Sequence, residues 1–205
     1  MSFQDNLQYE ILKPTDYVET FQCGDEDLDN FIIKESADYT KSLLSITYIV
    51  TDKSKNRVVA YFSFAADKLS VNDFASNSEF NRFRKWRFVH EKRLRSYPAV
   101  KLCRLGVDVS MKGTGLGSII FSLIEFLCTQ GNRIGCRFIT VDAYKTATPS
   151  YIKNGFQPLT KGMSNGFAAV ILLQMSFEVL LFFLFISFFI TTAKVQKIYE
   201  TQTTS

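Results

Sequence analysis

Histidine is almost missing from this 205-residue chain. His90 stands alone, which is too few for a histidine-rich metal site, and a Ser/His/Asp triad would have to commit that single residue. No metal is therefore expected. The four cysteines, Cys23, Cys103, Cys128 and Cys136, form no CxxC pair, so the common zinc and dithiol spacings are excluded and free reduced thiols are expected. The chain opens without an apolar signal segment, which places the folded domain in the cytoplasm as an expectation. Disorder is equally disfavoured, because 46% hydrophobic against 21% charged residues is the balance of a folded globular chain. The length suits one well-buried core with an appendage, and two full domains would be a squeeze.

What is present reads as a mixed α/β order without repeats. Residues 8 to 12 alternate like a strand and stop at Pro14. Asp25 offers an N-cap, after which Leu28, Phe31, Ile32 and Tyr39 fall near one helical face. Ile46 to Val50 and Val58 to Ala65 alternate around the polar turn Asp52 to Asn56, which predicts a hairpin. Residues 72 to 96 read as a polar helix ended by Tyr97-Pro98, and Val100 to Asp108 as a third main strand. Later come buried strands at Phe138 to Val141 and Ala168 to Phe177, with a short helix over Pro149 to Asn154 between them.

The net charge is +4, but seven basic residues against Glu91 alone are gathered between Arg82 and Arg95. Arg84, Lys85 and Arg87 alternate there with Phe83, Trp86 and Phe88, a mixture that follows phosphates and stacks on exposed bases. The same pattern also describes an ordinary solvated helix with its rings turned inward.

The chemistry concentrates in Lys112-Gly113-Thr114-Gly115-Leu116-Gly117-Ser118, after which Leu116, Ile119, Ile120, Leu123, Ile124 and Leu127 recur at helical spacing. Strand, glycine turn and helix in that order leave unpaired N–H groups facing whatever occupies the turn, an environment that attracts phosphate. A Walker A loop is excluded, since no Gly-Lys-Ser/Thr follows.

Together with Arg104-Leu105-Gly106-Val107-Asp108, this turn resembles the acetyl-CoA motif of the GNAT superfamily of N-acetyltransferases, with Lys112 where that family usually carries Gln or Arg. The resemblance implies an α/β, α+β mixed fold: a central mixed sheet flanked by helices. It implies acetyl-CoA as cosubstrate, held by Leu105, Gly106, Val107, Lys112, Gly113, Thr114, Gly115, Leu116, Gly117 and Ser118. Tyr151, four residues before Gly155-Phe156, matches the tyrosine that family uses to protonate the departing thiolate. The alternative for Tyr151 is a core tyrosine capping a short helix. The oxyanion would meet backbone N–H groups of Leu105 to Val107.

Phe21-Gln22-Cys23-Gly24 with Leu28 and Phe31 is similar to the GNAT subgroup that contains toxins of toxin–antitoxin pairs, which acetylate the amino group of aminoacyl-tRNA. Transfer to aminoacyl-tRNA and a ribbon-helix-helix type antitoxin are what this implies, with Arg84, Lys85 and Arg87 as the tRNA contacts. A small-molecule or protein amine as acceptor, and a nonenzymatic CoA-binding module, stay open.

Residues 5 to 177 are thus expected to form the acetyltransferase domain and 178 to 205 an apolar tail. Val179 to Ile190 is almost entirely apolar, and a membrane span of about 172 to 193 reaches the needed length only by including polar flanks. A membrane anchor, a buried or homodimer-forming element and a tail from an altered reading frame are the three readings of it.

Overall fold

The computed structural model describes residues 6–87, 94–129, 135–159 and 167–174. The first helical segment begins as the acidic entry predicts. The Asp25 carboxylate accepts the N–H groups of Asp27 and Leu28 at 3.0 and 3.2 Å, which satisfies donors that the first turn would otherwise leave bare. Helix α1 (Glu26–Asn30) passes into a π-helical turn (Phe31–Glu35) and then into α2 (Ser36–Lys41). The wider turn carries Phe31 and Ile32 into the core, where they are 2% and 1% exposed, and leaves Tyr39 at the rim, 36% exposed. A regular helix would have kept these residues closer to one face.

Seven strands form one sheet in the order β1-β2-β3-β4-β5-β7-β6. These are β1 (Leu7–Ile11), β2 (Ile46–Asp52), β3 (Arg57–Ser70), β4 (Ser96–Val107), β5 (Phe138–Tyr144), β6 (Gln157–Pro158) and β7 (Phe167–Gln174). All neighbours are antiparallel except β4 and β5, which are parallel. The predicted hairpin is β2–β3, but β3 runs on to Ser70 because β4 pairs with it along most of its length.

The expected helix over 72 to 96 is shorter. Helix α3 covers Asn77–Arg87, residues 88–93 lie outside the described residues, and the chain is already in β4 at Ser96. Tyr97 explains the early strand: it is 3% exposed, with its ring against Phe80 and Phe138. Burying such a ring outweighs the local signal of Tyr97-Pro98, and Pro98 needs no amide of its own to sit opposite Lys68 at the strand's beginning.

Helix α4 (Leu116–Thr129) covers one face. Its Leu116, Ile120 and Ile124 are at most 1% exposed against Phe62, Leu102 and Val141, each such burial being worth about 1.5–3 kcal/mol. The opposite face carries two separate clusters. Phe21, Phe31, Ile32 and Tyr61 pack under α1 and α2, whereas Leu69, Phe74, Phe80, Tyr97 and Phe138 pack under α3.

Gln174 ends β7, whose register runs Phe138↔Gln174 to Tyr144↔Phe167 against β5. The expected membrane span therefore cannot begin at 172, since Leu172 and Leu173 are paired strand residues. Residues 175–205, including the rest of that span, lie outside the described residues. Among the described residues no helix is long and apolar enough to cross a membrane.

Candidate functional site

Asp108 closes β4 and anchors the turn that follows. Its buried carboxylate accepts the Ser110 N–H at 3.0 Å and the Arg57 guanidinium at 3.4 Å. Burial would raise this carboxyl's pKa, but the hydrogen bonds from Ser110 and the charge of Arg57 outweigh it and hold it below the ordinary range. The Val109 N–H donates to the Gln22 carbonyl at 2.8 Å, tying the turn to the segment before α1.

The glycines then take over. Gly113 and Gly115 sit at φ +79° and +82°, where a side chain would be strained. Between them Thr114 donates its hydroxyl to the Met111 carbonyl at 2.8 Å and accepts the Leu116 N–H at 3.3 Å, which caps α4. Among the described residues, the N–H groups of Gly113, Gly115 and Gly117 make no hydrogen bond. A Cβ placed on any of the three would meet nothing within 4 Å. Three amides without a partner among the described residues thus gather at the N-terminus of a 14-residue helix, where the dipole favours an anion.

Of the predicted contacts, Lys112 and Ser118 are exposed beside these amides. Leu116 is not available: its side chain is fully buried and its N–H is taken by Thr114. The donor set of Gly113, Gly115 and Gly117, with Lys112 and Ser118 beside it, fits a diphosphate.

One strand away the sheet divides. β4 and β5 pair only over Ala99↔Phe138, Val100↔Ile139 and Lys101↔Thr140, after which β5 pairs with β7 alone. The register of β4 against β3 skips Cys103, a bulge that bends the strand and turns it away from β5. Beyond the bulge the Asp108 N–H donates to the Val59 carbonyl at 2.9 Å. By alternation Gly106 and Arg104 also face β3, so Leu105 and Val107 direct their N–H and C=O groups into the fork. Leu105 and Val107 were predicted here, and the geometry puts them together.

Gly106 was predicted as a ligand contact, but packing accounts for it. A Cβ there would lie 2.6 Å from Tyr61 Cε1 and 3.0 Å from Phe21 Cε1. The Tyr61 ring cannot withdraw easily, because its hydroxyl donates to the Leu28 carbonyl at 2.7 Å.

Tyr151 lies on α5 (Thr148–Lys153), whose end explains the Tyr-x-x-x-Gly-Phe spacing. The Phe156 N–H reaches the Tyr151 carbonyl at 3.1 Å and the Gly155 N–H reaches that of Ile152 at 3.1 Å, with Gly155 at φ +88°. This is a Schellman cap, and the Tyr151 and Phe156 rings, 5.3 Å apart, supply its hydrophobic contact. Phe121 of α4 stands edge-on to Tyr151, also at 5.3 Å. Four residues, or about 6 Å of helix, separate Phe121 from Gly117. The Tyr151 side chain is buried, 9% exposed, and its hydroxyl has no hydrogen-bond partner among the described residues. Burial pushes its pKa up to about 12, which keeps the phenol protonated and able to donate at neutral pH.

The basic segment is only partly free. Arg84 donates to the Leu94 carbonyl at 3.2 Å and lies 5.5 Å over the Phe80 ring. Together with Asn77, Asn81 and Arg95 it borders a cleft of about 420 Å³. Phe83 turns inward to Phe74 and Phe138. Lys85 is exposed, and the Arg87 side chain lies outside the described residues. No group of three or more His, Cys, Asp or Glu placed to hold a metal occurs among the described residues.

A parallel pair that forks beside a glycine turn, inside a mixed seven-stranded sheet, is the architecture of the GNAT acyltransferase fold. No protein-family model matches the chain, nor does any curated protein. Among solved structures, a tyrosine-to-phenylalanine mutant of KacT is 17% identical, with 83% of this chain and 95% of that one covered at a TM-score of 0.66. AtaT complexed with acetyl-methionyl-tRNAfMet is 22% identical, with 86% and 99% covered at 0.66. AtaTR bound with AcCoA is 22% identical, with 87% and 99% covered at 0.66. The chain shares their fold.

Proposed function

We propose that the chain transfers an acetyl group from acetyl-CoA to an amine, and that the acceptor is the amino group of an aminoacyl-tRNA. The observation that carries this is the set of three unpaired glycine amides opening beside the β4–β5 fork. Gly113, Gly115 and Gly117 would hold the pyrophosphate, with Lys112 and Ser118 contributing charge and a hydroxyl. Leu105 and Val107 would bind the extended thiol arm as a strand binds a peptide, by backbone hydrogen bonds within the fork.

The thioester supplies an acyl carbon with a thiol leaving group. Tyr151, protonated at neutral pH, would give the departing sulfur its proton. Fold neighbours support the donor and the acceptor alike, since AtaT has been solved with acetyl-CoA and with acetyl-methionyl-tRNAfMet. The basic α3 surface, through Lys85, Arg84 and Arg87, would follow the tRNA backbone.

Release of free thiol from acetyl-CoA, measured with aminoacylated tRNA, with uncharged tRNA and with small amines, tests the reading. Release only with charged tRNA is expected. Equal release with small amines would transfer the acceptor to that class, and no release despite binding would leave a nonenzymatic CoA-binding module. A ribbon-helix-helix type antitoxin is the proposed protein partner, because AtaT is also known bound to the C-terminus of its antitoxin AtaR; co-purification with the product of an adjacent reading frame would check it. The apolar run Val179 to Ile190 is proposed to mediate membrane association or homodimerisation. Carbonate-washed membranes and light scattering on the full chain, against a truncation ending at Phe177, distinguish the two.

A further inference from the structure

The fork makes a slot through the sheet, and its two mouths differ. On the α4 side lie the glycine turn and Tyr151, whereas on the other side the slot opens between the cluster under α1–α2 and the cluster under α3. That second mouth is floored by charge. Lys101 pairs with Asp142 across the last β4–β5 rung, and the Thr140 hydroxyl reaches over β4, above the small Ala99, to the Asp67 carboxylate. Arg104 lies 3.8 Å from Asp27, and its Nε is buried without a hydrogen-bond partner. Cys103, at the bulge, feels the whole group. Burial pushes its thiol up, Lys101 and Arg104 pull it down, and Asp67 and Asp142 add to the rise.

Among the described residues, Asp27, Asp67 and Asp142 meet only Lys101 and Arg104 here, three carboxylates against two cations. Building on the acetyl transfer proposed above, we infer that the acceptor's amino group enters from this mouth as an ammonium, is the missing cation, and is held by Asp142. Asp67 is committed to Thr140, but the Asp142 side chain is 50% exposed and restrained only by Lys101 among its described neighbours. Asp142 takes one proton from the ammonium. The freed nitrogen lone pair forms the C–N bond, the C–S bond breaks, and the sulfur leaves with its electron pair and receives the Tyr151 proton. The nitrogen then sheds its second proton through solvent to restore Tyr151, and Asp142 returns its own to water.

In this scheme Lys101 is a competitor that occupies Asp142 until the acceptor arrives. The two halves of one ion pair should therefore not respond alike. Initial rates of thiol release, with total aminoacylated tRNA varied at saturating acetyl-CoA, read the KM for the acceptor. Calorimetry reads acetyl-CoA affinity separately. Asp142→Asn is expected to raise the KM for charged tRNA about tenfold, as for loss of one charged hydrogen bond, with acetyl-CoA affinity unchanged. Asp142→Glu should recover most of that loss, and Lys101→Met should leave the KM unchanged or lower it. Equal rises in KM for Lys101→Met and Asp142→Asn would overturn the inference in favour of a simple latch between the two strands, as would no change in either. Melting temperatures identify a variant that merely fails to fold, in which case Asp142→Glu against Lys101→Met decides alone. Absence of acetyl-CoA binding by the unmutated chain would instead remove the underlying acetyl-transfer reading, and this one with it.

Discussion

On the α4 side of the sheet one continuous apolar cluster runs from Val50 to Phe156, whereas the other side carries two aromatic clusters parted by a strip of ion pairs. The comparison shows two ways of preparing a surface for a ligand. On the first side a fully packed helix start frees backbone amides, because Leu116 and Ile120 hold α4 in place without help from its first N–H groups. On the second side, among the described residues, no helix covers the middle of the sheet, and charged side chains line it where they stay partly hydrated.

Removing the proposed proton donor tests the first side most severely. Tyr151→Phe keeps the ring contacts with Phe121 and Phe156 and is expected to lower kcat about a hundredfold, with the melting temperature nearly unchanged. Because the phenol's pKa is raised to about 12, the proposed activity should show no alkaline loss from this group until the pH approaches that value. An equal fall in stability and activity would make Tyr151 a core residue only.

Two glycines separate packing from binding. Gly106→Ala forces a methyl against Tyr61 and Phe21 and should cost about 2 kcal/mol of stability, measured by denaturant unfolding. Gly117→Ala places its methyl in open space inside a helix, so stability should hold or rise by up to about 1 kcal/mol. Its acetyl-CoA affinity should nevertheless fall about tenfold, because alanine keeps the N–H but sets a methyl in the space the pyrophosphate would occupy. Full affinity in Gly117→Ala would contradict the cradle.

The smallest effect concerns the anchor of the turn. Asp108 has its folded pKa depressed below 3.8, so its contribution to stability is complete above the unfolded value and is lost as pH falls through the folded one. Melting temperatures at pH 7 and pH 3 should differ by a few degrees more in the unmutated chain than in Asp108→Asn.

Much of the first side was legible beforehand. The glycine turn, the α4 periodicity and Tyr151 before Gly155-Phe156 are local patterns, each found where expected, as was the Asp25 cap on the second side. The rest of the second side was not legible. Asp67, Lys101 and Asp142 carry no motif, and only the pairing of β3, β4 and β5 brings them together. The helical reading of 72 to 96 holds over Asn77–Arg87 but not at Ser96, where the strand begins because Tyr97 answers to Phe80 and Phe138 rather than to its neighbours in sequence.

Sequence alone therefore determined the caps, the turn and the helix behind it, because the interactions that build them close within four or five residues of chain. Tertiary structure decided the fork, the reason for Gly106 and the charge at the far mouth. Those depend on contacts such as Lys101 to Asp142, 41 residues apart. No local preference encodes a partner at that distance, and it is chosen only when strands meet and packing excludes the alternatives.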